Sequence, residues 1–552
     1  MTAAPDTHDA QAVDLAIIGG GSVGVSLLLQ FLLSLPAGGG RPLSLRLYEP
    51  QECPGPGGAY QDDLRSNLLN IPAGNMSALA DERLDFVGWL RRQDPAWLAG
   101  HGVEGAIDPG DFLPRPLFGA YMADAYERAR ALAPSRGVTL EHVRARVAGV
   151  TPLANGRVRV LAESGQPCVA RRVALCNGNL PSRAFPALAA APGYFNSPYP
   201  VSELAAGIAA DATVCVIGTS LSAVDAVVAL QQAGHRGPLI CVSRNGRLPS
   251  VRSPHNRPPP RGLTELSRDG AQALAHAHGG ALTLERIAAA LGREVRALGG
   301  AVDAEDILGV DGDARAALDD EIRRSEHDAR PWQAVAAATN AAVDLIWHLL
   351  PDAERARFQS QWRALWMARR ANFPMRNARK LQALFRAGQL EVLSGYVDSR
   401  HDAAGGFVTR LRTPAGEREL RSRYLINATS FSVDAAGAAD PLVSALLRDG
   451  HGQAHPHGGL ALDYATGSLL DAGGVVQPAI TVLGSLAGGT YFWTTSMDVN
   501  ARLARDQARR IAAALADAGA TVPGSRRDTP CPGISPAHRP PRPAPAASSG
   551  PR

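Results

Sequence analysis

"LAIIGGGSVG", residues 15–24, follows a short apolar run and leads into an apolar, helix-like segment. Gly19, Gly21 and Gly24 fit the G-x-G-x-x-G pattern. Gly19 makes the tight turn, Gly21 lets backbone approach a pyrophosphate, and Gly24 allows close packing of helix on strand. The helix N-terminus then faces the anion. "LSLRLYE" at 43–49 reads as the next strand and ends on Glu49, whose carboxylate can accept hydrogen bonds from ribose hydroxyls. An acid at that position suits a free 2′-hydroxyl and repels a 2′-phosphate, so this site is expected to take the adenosine of FAD or NAD and not NADP.

The same order of strand, turn, helix and strand recurs at 213–244, where "TVCVI" leads into "GTSLSAVDAVVALQQAG" and then "PLICVSR". Here Gly218 stands first, while Ser220 and Ala223 replace the second and third glycines. Ser243 and Arg244 fall about where Glu49 lies in the first unit, and a guanidinium beside a hydroxyl is what a 2′-phosphate needs. The expectation is a second, NADPH-type site. The competing reading is a decayed unit kept as scaffold, with Arg244 a solvated surface residue. The fold class that follows is α/β, with two Rossmann-like dinucleotide-binding domains, for FAD and NADP, and a helical insertion.

The boundaries expected are 12–200 for the first part of the FAD-binding domain and 201–249 for the NAD(P)-binding unit. A helical insertion follows over 250–378, and 379–520 completes both domains. The insertion carries charged stretches such as "DDEIRRSEHDARPWQAV" and the basic, aromatic run "WRALWMARRANFPMRNARK". It either caps a cleft or packs on the second domain away from substrate. The Pro-, Ser- and Arg-rich segment 522–552 has almost nothing to bury and is expected to be disordered.

Composition narrows the function classes. The 552 residues are 45% hydrophobic and 20% charged with a net charge of +4, which suggests a globular protein of several domains and gives no electrostatic case for nucleic acid. The long apolar run at 23–36 is too short to span a bilayer, and the N-terminus does not read as a secretory signal. No membrane partner and a cytoplasmic location are therefore expected. Six cysteines include no C-x-x-C pair, which speaks against a zinc ribbon and a dithiol redox centre. "HAHGG" at 276–280 and "HPHGG" at 455–459 lack a carboxylate or cysteine at ligand spacing, so no metal is expected. No nucleophile elbow and no marked acid–base pair appears, which agrees with chemistry carried by cofactors and leaves the catalytic residues open.

Beyond these turns the chain carries "GPGGAY" at 55–60, "LLNIPAGNMS" at 68–77, "FLPRPLFGAYM" at 112–122, "VSRNGRLP", "PWQAV", "LINAT" and "VLGSLAGG". With both glycine turns they closely resemble the bacterial FAD/NAD(P)-binding proteins related to the two-dinucleotide N-monooxygenases, up to about residue 515. The resemblance implies that Gly19, Gly21, Gly24 and Glu49 hold the adenosine and pyrophosphate of FAD. It also implies that Asn70 to Ser77, with Met76 among them, lie along the flavin. Gly484 and the residues after it would close over the flavin's pyrimidine end, with Trp493 and Thr494 near substrate. The chain departs from the pattern at "CNG", residues 176–178, and at Ser430. The insert's "ARRANFPMR" departs as well. There Arg369, Arg370 and Arg376 are candidates for a substrate carboxylate, against a plain reading as solvated helix charges.

The function implied is an NADPH-dependent flavin monooxygenase that uses molecular oxygen to oxidise a small molecule, for example by N-hydroxylation. Its alternatives are a flavin reductase or dehydrogenase without oxygen transfer and a non-catalytic flavin-binding sensor.

Overall fold

The structure, a computed structural model, describes residues 11–38, 41–165, 167–309, 312–402, 405–429 and 431–517. Ser430 and the segment 522–552 lie outside the described residues.

Two sheets organise the chain. In the first, Gln11–Ile18 lies between Leu43–Tyr48 and Pro167–Leu175, parallel to both. Val138–Val143 extends one side, and Val476–Val482 extends the other, again in parallel. An antiparallel hairpin of Val147–Pro152 and Val158–Ala162 joins Pro167–Leu175. A sheet covered on both faces must be apolar on both, and Leu15, Ala16 and Ile17 are each no more than 1% exposed. The helix Ser22–Ser34 packs against Met497–Asp517 and Arg115–Leu132. This explains why the apolar run at 23–36 is apolar nearly all round: it is a core helix. No described helix is long and apolar enough to cross a membrane.

The second sheet repeats the plan with Val214–Ile217 between Leu239–Val242 and Tyr424–Asn427, all parallel. Leu390–Leu393 and Tyr194–Phe195 lie at its edges. The chain therefore leaves the first sheet after Leu175, builds the second, and returns after Asn427 to supply the first sheet's last strands and its C-terminal helix.

Residues 250–378 are mostly helical and are pinned at both ends by one short parallel pair, Val251–Arg252 with Phe373–Pro374. A buried charge cluster fixes that pair. Glu321 binds Arg330 at 2.6 Å and Arg369 at 2.7 Å, and it accepts the Val251 N–H at 2.9 Å. Both guanidiniums also lie over the Trp332 ring, at 5.1 and 5.2 Å. The segment reaches across to the first unit as well. Trp347 donates its indole N–H to the Gly489 carbonyl at 2.8 Å, and Asp344 pairs with Arg268 and Arg502 at 3.0 and 2.8 Å.

Candidate active site

The two glycine turns have the same local construction. Gly19 sits at φ +99° and donates to Tyr48 O at 2.9 Å, and Gly218 sits at φ +128° and donates to Val242 O at 2.8 Å. Each is the first residue after a central strand, and each faces the carbonyl just past the end of the neighbouring strand: Cys176 in the first unit, Ala428 in the second. A Cβ on Gly24 would stand 1.9 Å from Gly19 O, which accounts for the third glycine through packing alone. At the middle position a Cβ on Gly21 would meet only Gly57 Cα, at 3.5 Å, so the space above it is open.

Both following helices begin uncapped. Gly21 and Ser220 occupy the N-cap positions of Ser22–Ser34 and Leu221–Gln232, and no side chain caps either turn. Free N–H groups and the positive end of each helix dipole therefore open into the space beside the turn, which is the arrangement a pyrophosphate requires.

Both turns open into one cavity of about 2910 Å³. Gly19, Gly21, Glu49, Asn70, Met76 and Gly484 line it from the first unit, and Gly218, Ser220, Ser243 and Arg244 from the second. Glu49 is buried, its two carboxylate oxygens accepting the Gly20 N–H at 2.9 Å and the Gln51 N–H at 3.0 Å. Its remaining lone pairs are available to ribose hydroxyls. Ser243 is held inward by Thr219 Oγ1 at 3.1 Å and by the Gly246 N–H at 2.9 Å. Arg244 is exposed on the same turn.

Trp493 and Thr494 line the cavity too. They follow Phe492, whose φ of 65° and ψ of −68° make a γ-turn closed by Trp493 N–H to Tyr491 O at 2.9 Å. That conformation is strained for a residue with a side chain, and such strain collects at functional sites. Stacking of Phe492 on Trp347, 4.7 Å between centroids, holds it in place.

Two expected site residues depart from their assignment. Ser77 does not line the cavity. Its hydroxyl donates to Glu82 O at 2.8 Å and accepts from the Leu79 N–H at 3.0 Å, so it shapes the loop behind Met76. Arg376 also lies outside the cavity lining, exposed on the helix Met375–Arg386. Of the three insert arginines only Arg370 lines the cavity, because Arg369 is tied to Glu321.

Sequence reasoning missed several lining residues. Arg115 and Tyr199 sit between the two units, where Tyr199 donates to Asp225 at 2.6 Å and Arg115 approaches it at 3.6 Å. Asn177 Oδ1 and Ser496 Oγ are buried in the lining with no hydrogen-bond partner among the described residues. Buried polar atoms are seldom left unpaired, so these orphans fit a bound polar group. Burial pushes the adjoining Cys176 thiol up to about 12, which keeps it protonated and inert at neutral pH. Among the described residues all five cysteines are free, and no cluster of side chains suits a metal ion.

Comparison with known proteins agrees with this geometry. Residues 16–180 match a family model described as FAD-NAD(P)-binding. An uncharacterized protein of Escherichia coli (strain K12), YdhS, is 26% identical over 231 residues, covering 39% of this chain and 39% of that protein. The chain thus spans well under half the length of that relative. Among solved structures, an ornithine N-hydroxylase from Kutzneria sp. 744 is 14% identical, covers 92% of this chain and 100% of its own, and has a TM-score of 0.52. An L-lysine 6-monooxygenase from Pseudomonas syringae is 18% identical, covers 92% and 99%, and scores 0.51. A cadaverine monooxygenase from Erwinia amylovora, solved with FAD, is 14% identical, covers 91% and 95%, and scores 0.55. The chain has the two-dinucleotide fold of these flavoprotein N-monooxygenases.

Proposed function

We propose that this chain is an FAD-dependent NAD(P)H oxidoreductase, and in finer terms a monooxygenase that oxidises a small molecule. The observation that carries the reading is that two uncapped helix N-termini, each behind a positive-φ glycine, open into the same cavity. One such turn serves one dinucleotide, and two facing one space let a nicotinamide meet a flavin. The solved neighbours described as ornithine, lysine and cadaverine hydroxylating enzymes support oxygen transfer as the outcome.

In this reading Gly19, Gly21 and Glu49 hold the adenosine diphosphate part of FAD, while Asn70, Met76 and Gly484 border its ring. Asn177, with its unpaired buried amide oxygen, would accept a hydrogen bond from the same group. Gly218, Ser220 and Arg244 hold NADPH, Arg244 by charge-assisted hydrogen bonds to the 2′-phosphate. When bound, the nicotinamide supplies hydride and the flavin passes the electrons to oxygen. The chain's own residues bind, orient and exclude water. Trp493 and Thr494, fixed by the strained turn at Phe492, present a rigid wall to the substrate, and the helical segment covers the cavity from the other side.

The test is NADPH consumption by the flavin-loaded protein, with oxygen uptake followed alongside. Consumption coupled to an oxygenated product supports the monooxygenase. Consumption without oxygen incorporation leaves a flavin reductase, and none at all leaves a flavin-binding sensor.

A further inference from the structure

We infer that Arg252 and Arg370 form a two-guanidinium clamp for a carboxylate carried by the substrate. This deepens the reading of the cavity as an oxidoreductase site and rests on it.

The parallel pairing of Val251–Arg252 with Phe373–Pro374 brings together two stretches far apart in sequence. Both arginines line the cavity. Arg252 Cζ lies 5.8 Å from the centre of the Phe112 ring, and Arg370 Cζ lies 5.3 Å from that of Trp493. Phe112 adjoins Leu113, whose carbonyl accepts the Leu69 N–H at 2.8 Å, next to the Asn70–Met76 stretch assigned to the flavin ring. The pair therefore sits beside Trp493 and the stretch assigned to the flavin ring.

Four other arginines around the helical segment have carboxylate partners. Arg330 and Arg369 share Glu321, and Arg268 and Arg502 share Asp344. Arg252 and Arg370 have no carboxylate at ion-pair distance among the described residues. Arg370 donates one Nη2 hydrogen bond to Asn340 Oδ1 at 2.7 Å and another, at 3.5 Å, to Ala337 O. Burial, and then the neighbouring Arg252 charge, hold the Arg370 guanidinium down to about 10. Asp498 favours the Arg370 charge from beyond ion-pair distance, and two half-buried like charges with no directly paired counter-ion are costly unless something neutralises them. A carboxylate does so with two oxygens that match the forked N–H geometry of each guanidinium. Trp493, which lines the cavity, offers an apolar face for the body attached to it.

The experiment uses the full chain loaded with FAD and no turnover. Benzoate, and benzamide as its neutral counterpart, are titrated while the flavin difference spectrum and tryptophan fluorescence are read. Saturable benzoate binding is expected, with benzamide at least about tenfold weaker. Arg252→Gln and Arg370→Gln should each weaken benzoate about ten- to a hundredfold, the range of hydrogen bonds to a charged group. Arg386→Gln, exposed and outside the cavity, should leave binding unchanged. If Arg370→Gln loses its fold with the Asn340 contact, Arg252→Gln carries the test.

Equal binding of benzoate and benzamide, no response to either, or unaltered affinity in Arg252→Gln would overturn the clamp. So would a selective loss of NADPH affinity in that variant, which would assign the pair to the nucleotide. FAD content and bleaching by NADPH, measured on the same samples, separate the two levels. A colourless protein defeats the oxidoreductase reading, whereas a yellow, NADPH-reducible protein indifferent to carboxylates defeats only the clamp.

Discussion

The carbonyl oxygen of Ala428 lies where a side chain on Gly218 would have to go, 2.6 Å from its Cβ. Gly19 and Cys176 stand in the same relationship in the first unit, at 2.3 Å. The second turn has lost two of its three glycines and kept the one that this crossing demands. Gly218→Ala should therefore destabilise the chain by about 1–3 kcal/mol, from a strained φ and a displaced carbonyl together. Chemical denaturation checks this, and an unchanged midpoint would mean that the crossing is loose.

Gly21 offers the opposite case. Its φ of −72° and ψ of −171° suit any residue, and the nearest atom to an added Cβ is Gly57 Cα at 3.5 Å. Gly21→Val should fold and yet fill the floor of the first cradle. The purified variant should have a near-native melting curve and little or no flavin absorbance. Full FAD content in a folded Gly21→Val protein would remove the assignment.

These two glycines show what was legible in the sequence and what was not. A turn that must pass a carbonyl, or admit a phosphate, constrains residue type within a few positions, so both βαβ units could be read from local spacing. The positions of Glu49 and Arg244, each just past the end of the strand after its turn, were legible for the same reason. Ser77 and Arg376 were misplaced because spacing does not say which way a side chain turns: one hydroxyl closes its own loop and one guanidinium points to solvent. Arg252 was missed because its partner strand is Phe373–Pro374, and no local pattern announces a pairing across the whole helical segment. The positive φ at Phe492 was equally hidden, since the ring it stacks on, Trp347, is far away in sequence.

Arg244→Ala should weaken NADPH use selectively. A lost charge-assisted contact to the 2′-phosphate corresponds to about a ten- to hundredfold fall in kcat/KM for NADPH, with NADH little changed and bound FAD untouched. Steady-state kinetics with both nucleotides checks this. Equal losses for the two would indicate general damage to the turn.

Glu321 sets an acid limit on stability. Burial works against its charge, but the hydrogen bond and charge of Arg330 and the charge of Arg369 outweigh it, so its carboxyl titrates below the usual glutamate range when folded. A depressed folded-state pKa contributes stability that is present above the unfolded value and is lost as pH falls through the folded one. Wild-type protein should thus lose stability from this group only as the pH drops below the ordinary glutamate range. Glu321→Ala should lose about 3–5 kcal/mol at neutral pH by leaving Arg330 and Arg369 uncompensated, and should show a flatter acid limb. Urea denaturation across pH reads both effects.

The most direct test of the two-site cavity is anaerobic mixing of the FAD-loaded protein with NADPH while the flavin absorbance is followed. The flavin band should bleach, faster with NADPH than with NADH, and return when oxygen is admitted, with oxygen consumed in step. A flavin band that neither nucleotide bleaches would contradict the assignment of Gly218, Ser220 and Arg244 to a working nicotinamide site.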